Sequence, residues 1–279
     1  MSATVNTNLS SLRAQNDLGV ITGSLVKSTQ KLASGVRVNS AADDAASLSL
    51  SKKLSAQISS SKAAKDNTKT AINMIQTADS DLAIVQNHVQ RMRDLSVQAA
   101  NGVYSAAERS MLNDEYQNLY QEAMRTYRSS KFADINLFDL WSMPADGTDI
   151  DFQVGTNATN NDVITHNFPQ MDYEMSTKLG GNISTQANAQ WKIESIDLAL
   201  GVLNTYRSSM GAAANRLQGS VDRIDTRKEN LANANSTITD TDYGSEMAGY
   251  TKKQILQQTT TSMLQQANQE PAMALQLLR

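Results

Sequence analysis

Two histidines, His88 and His166, are the only imidazoles in the chain, and there is no cysteine. Such a chain has no thiol nucleophile, no disulfide framework and no Cys-ligated zinc, and two His cannot make a His-rich metal centre. His88 stands between Asn87 and Val89 in a helical run, where a lone imidazole reads as a surface or structural group. His166 alternates with Ile164 and Phe168, the pattern of a strand residue packed among apolar neighbours. Asp146, Asp149 and Asp151 resemble a cation loop, but they miss the EF-hand spacing and its terminal Glu, so they read as solvated turn acids. No GxSxG, GxGxxG, phosphate loop or HExxH occurs. Lys52, Lys53, Lys62, Lys65 and Lys69 lie along one helix without interleaved aromatics, which predicts a solvated face rather than a nucleic-acid groove. The sequons at Asn8, Asn157, Asn182 and Asn235 are matches of the kind that arise by chance in a chain rich in Asn and Ser. No catalytic residue, cofactor or metal site is expected, and an enzyme on this scaffold would lack any nucleophile–base pair.

The elements that could position such residues are therefore of more interest than the residues. The chain has 279 residues, of which 40% are hydrophobic, 19% charged and only 5% aromatic, while about a third are Ser, Thr, Asn or Gln. The net charge of −3 advertises no partner that is a nucleic acid. No apolar run approaches the ~20 residues of a membrane span, so no membrane insertion is expected. The first 30 residues lack the basic start and apolar core of an ordinary signal peptide. The three prolines are Pro144, Pro169 and Pro271, which leaves two long stretches free to be helical.

Periodicity turns that permission into a prediction. Ile196, Leu203, Met210, Leu217, Ile224, Leu231 and Ile238 follow one another at seven-residue intervals, with Ala199, Tyr206, Ala213, Ser220, Arg227 and Ala234 between them. This 3–4 spacing predicts one long helix with a coiled-coil-like packing stripe, interrupted at Arg227, which should snorkel or pair with a carboxylate. Periodicity fits a monomeric bundle and a self-assembling helix equally. A second helix is predicted from about Asp44 to Ala100, with its best stripe at Ile72, Ile75, Ala78, Leu82, Val85, Val89, Met92 and Leu95, and with Gly102 as its C-terminal cap. At 1.5 Å per residue it would span about 85 Å, so an elongated rod is expected rather than a globule with a radius of gyration of ~19 Å. Ser105-Ala-Ala-Glu108 is a capping box that starts a third helix carrying Leu112, Tyr116, Leu119, Ala123 and Tyr127.

Residues 129–190 differ in character. They hold all four Phe, and Ile150, Phe152 and Val154 alternate with polar residues, as do Ile164, His166 and Phe168. This predicts a β-hairpin across the turn-rich 155–162 stretch and a loop at Gly180-Gly181. The two chain ends carry looser stripes, Leu9 to Leu32 and Met247 to Ala267. Neither holds enough apolar surface to offset its own ordering entropy, so both are expected to be disordered in the monomer and helical once packed together.

Several blocks of residues are more specific. Asn6-Thr-Asn8, Ser11-Leu-Arg-Ala-Gln15 and Lys31-Leu-Ala-Ser-Gly35-Val-Arg-Val-Asn39-Ser-Ala-Ala-Asp-Asp-Ala45 resemble the amino-terminal signature of bacterial flagellin. The run from Val89 to Gly102 is similar to its next block, Phe152-Gln-Val-Gly155 to its hairpin strand, and Thr251–Gln257 and Gln266–Pro271 with Leu277-Leu-Arg279 to its carboxy-terminal block. The hook–filament junction protein is the alternative within the same superfamily, but its usual Pro beside the Asp-Asp pair is missing around Asp43-Asp44. Ser47 stands where flagellins often have Gly, and Phe132-Ala-Asp134 where Phe-Asn-Gly is usual, so that turn should differ locally.

The resemblance implies a mainly α fold: a long antiparallel helical rod, a coiled-coil-like bundle, with a central β-hairpin and paired terminal helices. Residues 1–42 and 240–279 would form the terminal helical domain. Residues 43–190 would supply the rod's N-terminal helices and hairpin, and 191–239 its C-terminal helix. The short link 180–190 leaves no room for variable outer domains. The implied function is that of a structural subunit, exported unfolded without a cleaved signal peptide and polymerised at the tip of an extracellular flagellar filament used for swimming. The implied partners are further copies in a homopolymer, a flagellar export chaperone for the carboxy-terminal tail, the filament cap and the hook-junction proteins. Gln90, Arg91, Leu95 and Gln98 match positions that certain flagellins present to a vertebrate Toll-like receptor, although Val89 and Asp94 replace the more usual Leu and Glu. The same segment also serves axial filament contacts in the family. Leu275, Leu277 and Leu278 resemble the leucines read by cytosolic flagellin sensors.

Overall fold

The computed structural model describes residues 7–138, 148–168 and 172–277. Among these residues six α-helices and four strands follow in order: α1 Leu9–Ser34, α2 Ala45–Ala100, α3 Ala106–Ser129, β1 Lys131–Phe132, β2 Ile135–Asn136, β3 Thr148–Gln153, β4 Val163–Phe168, α4 Asp172–Leu179, α5 Gln186–Thr239 and α6 Tyr243–Leu277, with a 3-10 turn at Asn160–Asp162. The mainly α class with a hairpin between long helices is thus observed. The chain divides into two compact units, residues 1–58 with 229–279, and residues 59–228. The divisions fall inside α2 and α5, because neither helix is broken at the point where its neighbours change.

The helix boundaries follow from local chemistry. Asn8 Oδ1 accepts the Ser11 N–H at 3.0 Å and caps α1, and Gly35 ends it in the left-handed conformation, φ 71°, its N–H donated to Lys31 O. The Asp43-Asp44 pair then divides its labour. Asp43 Oδ2 accepts the N–H groups of Asn39 and Ser40, closing the loop, while Asp44 Oδ1 accepts those of Ala46 and Ser47 at the head of α2. Hydrogen bonds from Ser40 and Ser47 respectively hold both carboxyls below their usual range. The capping box of α3 is present: Ser105 Oγ accepts from Glu108 N, and Glu108 Oε2 accepts from Ser105 N at 2.6 Å.

The end of α2 differs from expectation. Gly102 is not in the left-handed region. Arg109 of α3 reaches back instead, donating Nε to Ala99 O at 2.9 Å and Nη2 to Asn101 O at 3.0 Å. One guanidinium thereby satisfies carbonyls that the helix leaves open, so no glycine cap is required.

In the 59–228 unit α2 and α5 run antiparallel. Lys65–Asp225 at 2.6 Å, Arg207–Asp79 at 2.8 Å and Arg93–Asp197 at 2.6 Å tie them at three levels. The core between them holds Ile75, Leu82, Val85, Val89, Met92 and Leu95 of α2 and Ile196, Leu203, Met210 and Leu217 of α5. Tyr116 and Tyr127 of α3 close it, Tyr127 stacked on Phe138 with centroids 5.1 Å apart. The α5 stripe is buried through Ile224, then fades: Leu231 and Ile238 are half-buried, and Arg227 and Ala234 are exposed.

The predicted hairpin pairs β3 with β4 antiparallel, Ile150 opposite His166 and Phe152 opposite Ile164. Its loop is organised by Asp162, whose carbonyl accepts the N–H groups of Val154 and Gly155, and whose Oδ2 accepts from Asn157 N and Thr159 Oγ1, both at 3.1 Å. A side chain at Gly155 would collide with that carboxylate. Two elements were not expected. The first is the short β1–β2 pair, turned by Ala133 at φ 53° and Asp134. The second is α4, whose end is clamped by Tyr116 Oη donating to Leu179 O at 2.7 Å and by Lys192 Nζ donating to Lys178 O and Gly180 O. Gly180 and Gly181 form the expected loop, the second at φ 110°. Trp141, Pro144, Asp146, Pro169 and Leu278 lie outside the described residues.

Candidate interaction surfaces

In the unit made by the chain ends, α1 lies along α6, and what joins them is mostly polar. Asn8 Nδ2 donates to Ala267 O at 2.6 Å, Ser11 Oγ to Asn268 Oδ1 at 2.7 Å, Lys253 Nζ to Ser28 Oγ at 2.5 Å and Tyr243 Oη to Leu32 O at 2.9 Å. At the loop end, backbone bonds Arg37 N to Thr239 O and Thr241 N to Gly35 O flank a bridge between Val36 and Asp240, and Arg37 Nη2 donates to Ile238 O. The buried residues of α1 are Ser11 and Ser28, the latter 1% exposed.

Leu18, Ile21, Leu25 and Leu32 of α1 and Tyr250 and Leu264 of α6 are half-buried, but much of the apolar surface of these helices faces water. Leu9, Leu12, Val20 and Val26 of α1 and Met247, Ile255 and Met263 of α6 are exposed, Val20 to 70% and Met263 to 63%. Large apolar groups scattered singly on a surface are ordinary. A helix pair that buries serines and displays leucines is not, because burial of the leucines would be worth roughly 1.5–3 kcal/mol each. This pair is tied by hydrogen bonds and leaves a large part of its apolar surface unburied.

The sequence-predicted segment on α2 is split by the fold. Gln90, Arg91 and Gln98 are exposed, but Leu95 is fully buried in the core and so is not available at the surface. A period of 3.6 separates them: Leu95 belongs to the Leu82–Val85–Val89–Met92 stripe, and Gln90, Arg91 and Gln98 to the outer face. Arg91 is also engaged within the molecule, with Nε and Nη2 both donating to Glu115 Oε1 of α3. Glu115 carried no sequence signal, since the α2–α3 packing brings it there. Leu275 and Leu277 lie on α6, where only the backbone is described, and Leu278 lies beyond it.

His88 is half-buried, and His166 is 7% exposed, its ring edge-on to Phe168 at 5.0 Å. Among the described residues no three His, Asp or Glu side chains gather as a metal set, and no helix is long and apolar enough to cross a membrane. Asp149 and Asp151 accept from Asn167 Nδ2 and Thr165 Oγ1 across the hairpin, which accounts for both carboxylates structurally. Of the sequon asparagines, Asn8 caps α1 and Asn182 accepts from Ser184 N and Asn188 Nδ2.

Residues 5–141 match the family described as the bacterial flagellin N-terminal helical region, and residues 193–278 the bacterial flagellin C-terminal helical region. A flagellin of Halalkalibacterium halodurans is 37% identical over 99% of both chains. The flagellar filament 33 kDa core protein of Treponema phagedenis is 35% identical, again over 99% of each. Among solved structures, Bacillus cereus flagellin superposes with a TM-score of 0.51 at 26% identity, covering 61% of this chain and 94% of that one. A protein described as flagellar hook-associated, from Vibrio parahaemolyticus, reaches a TM-score of 0.58 at 15% identity over 70% of this chain and 98% of its own, which speaks to fold alone.

Proposed function

The chain belongs to the bacterial flagellin family, and from that premise we propose how this structural subunit of the flagellar filament uses its surfaces. The observation that carries the reading is the helix pair α1–α6, which is clasped by polar bonds and leaves Leu9, Leu12, Val20, Val26, Met247, Ile255 and Met263 in water. Neighbouring copies supply the missing apolar partners. A surface that meets a different surface on the next copy propagates without closing, which is how a filament grows. The isolated pair is only marginally stable, and folding and burial of the ends are completed together on joining the filament. In this division of labour residues 1–42 and 240–279 are the assembling ends, and residues 43–190 and 191–239 the scaffold. Among α5 residues, Ile196 to Ile224 serve the core of the 59–228 unit, and Leu231 and Ile238, half-buried, fall in the unit of the chain ends. The chain's work is mechanical rather than catalytic.

Its further partners follow the same reading. An export chaperone holds the carboxy-terminal helix before secretion, the hook-junction proteins receive the first subunits and the cap the last. Gln90, Arg91 and Gln98, exposed together on α2, form the face available to a host Toll-like receptor or to an axial neighbour. Leu275, Leu277 and Leu278 remain the proposed cytosolic-sensor contacts.

The test is seeded growth. Purified monomer added to sheared filaments is expected to elongate them into long fibres by negative-stain microscopy, and removal of residues 240–279 is expected to abolish growth while circular dichroism still reports a helical remainder. Elongation by the truncated chain would refute the mechanism. Short caps without growth would favour the junction role instead.

A further inference from the structure

The hairpin loop and α5 border an open cleft of about 380 Å3, in which Arg216 and Arg223 are exposed to solvent. Asn160 and Asn161 line it from the loop, Val163 and Ile164 from β4, and Arg216 and Arg223 from α5. The two arginines are seven residues apart, two helical turns, so they leave α5 on the same side about 10 Å from one another.

The cleft is rich in donors and has no carboxylate in its lining. The acids near it in sequence are committed elsewhere. Asp162 has its carboxylate turned inward to Asn157, Thr159 and the space beside Gly155. Asp222 accepts from Gln218, and Asp225 is paired with Lys65. Arg91, Arg93, Arg125 and Arg207 each hold a carboxylate, and Arg37 and Arg109 give their donors to backbone carbonyls. Arg216 has no acceptor among the described residues, and Arg223 reaches only the Ser220 hydroxyl, at a long 3.4 Å. Two unneutralised cations converging on one cleft, with amide donors opposite, is an arrangement that an anion would complete. A forked guanidinium suits an acceptor with several oxygens, which it can grip with parallel N–H groups.

We propose that this cleft binds a tetrahedral oxyanion of the phosphate or sulfate class, gripped between Arg216 and Arg223 and faced by the Asn160 and Asn161 amides. The site uses only residues of the 59–228 unit and does not depend on assembly. At ~30 Å3 per water, the cleft has room for the ion and part of its hydration shell.

His166 supplies an internal reporter. It lies on β4, two residues beyond Ile164, with its Nε2 buried and without a partner among the described residues. Its proton affinity is depressed by burial first and by the charge of Arg216 second. Asp149 and Asp151 pair with Asn167 and Thr165, and by strand alternation they occupy the opposite face of the hairpin from His166. An anion that neutralises Arg216 removes the second cause, so binding raises the His166 pKa.

The experiment is a proton NMR titration of the full chain, whose two His give two resolvable signals. Sulfate and phosphate are compared with chloride at equal ionic strength. The expected result is an upward shift of the His166 pKa that is half-complete at roughly 1–10 mM sulfate or phosphate, as suits a site with an affinity near 4 kcal/mol or less at 1 M standard state, with His88 unmoved. The double variant Arg216→Gln/Arg223→Gln is expected to lose the shift. Arg223→Lys, which keeps the charge but not the fork, should bind several-fold more weakly. An equal shift in chloride, or one that survives in the double variant, would mean screening alone and overturn the site. An equal response to acetate would overturn the assignment to tetrahedral anions, and the absence of any shift would overturn the proposal entirely.

Discussion

Arg91 of α2 donates two N–H groups, Nε at 2.9 Å and Nη2 at 2.7 Å, to a single carboxylate oxygen, Oε1 of Glu115 on α3. Both side chains are nearly half exposed, so the pair is worth ~0.2–1 kcal/mol to the fold. Its larger effect is on availability. A partner that reads Arg91 must either accept it already paired or take it from Glu115.

This sets the first prediction. Arg91→Ala is expected to reduce Toll-like-receptor reporter signal strongly while shifting the melting midpoint little. Glu115→Ala is expected to leave stability within about 1 kcal/mol and to raise the signal, since the guanidinium is released. Equal signal from wild type and Arg91→Ala, or none from either, ends the receptor reading.

The exposed apolar residues of the end helices give a second prediction. Leu12→Ser and Ile255→Ser should leave monomer unfolding within about 0.5 kcal/mol of wild type, because neither side chain is buried in the monomer. Both should slow or stop seeded elongation. Ile75→Ala, in the core, should do the reverse in kind, costing about 2–5 kcal/mol of stability in denaturant melts. If the serine variants elongated normally, the exposed surface would have no part in assembly.

A third concerns Ala133, which turns the β1–β2 pair at φ 53° without being glycine. A Cβ in this region costs about 1–2 kcal/mol. Ala133→Gly, or Ala133→Asn, which tolerates the conformation better, is expected to stabilise the chain by up to about 1 kcal/mol in chemical denaturation, the relief of strain being partly offset for glycine by the greater entropy of its unfolded chain. A loss of stability would show that the alanine methyl makes a contact worth more than the strain.

A fourth is pH dependence from His166. Burial and Arg216 lower its pKa in the folded state below the ordinary 6.5, so the folded protein binds this proton less readily than the unfolded chain. Above about pH 6.5 the group is neutral in both states and contributes no slope. As pH falls below that value the unfolded state is protonated first, and stability drops until the folded-state pKa is passed. His166→Phe, which cannot titrate, should flatten this part of the stability–pH curve, measured by denaturant midpoint from pH 7.5 to 5. An unchanged slope in the variant would assign the acid sensitivity elsewhere.

The fifth prediction tests the clamp on α4. Lys192 is 2% exposed, burial lowers its pKa, and its ammonium donates to Lys178 O and Gly180 O. Cations suit the C-terminal end of a helix, where carbonyls lack partners. Lys192→Met keeps the packing volume but strands those carbonyls, with an expected cost of about 1–3 kcal/mol and faster amide exchange at residues 176–183. Exchange unchanged there would show that Tyr116 holds the helix end without help.

How much of this was legible in the sequence depends on the range of the interactions involved. The α2 and α5 stripes, the Ser105–Glu108 box and the alternation of Ile150, Phe152, Ile164 and Phe168 were readable because each is a local period or a contact three residues long. The family signature added what periodicity left open, the pairing of the two chain ends. Three features were not readable, each because it depends on packing between segments distant in sequence. Arg109 replaces Gly102 at the end of α2 only because α3 folds back over it. Leu95 and Arg91 look alike as members of one segment, but the helical phase buries the first, and α3 hands the second to Glu115. Arg216 and Arg223 come to line one cleft with Asn160 and Asn161 only because the hairpin packs against α5. Where the helices lie and which of their faces are apolar could be read from residue order, since both follow from backbone periodicity. The tertiary structure alone decided which polar groups are paired, which apolar faces are left in water and which charges are left without a partner, since those depend on what each face meets.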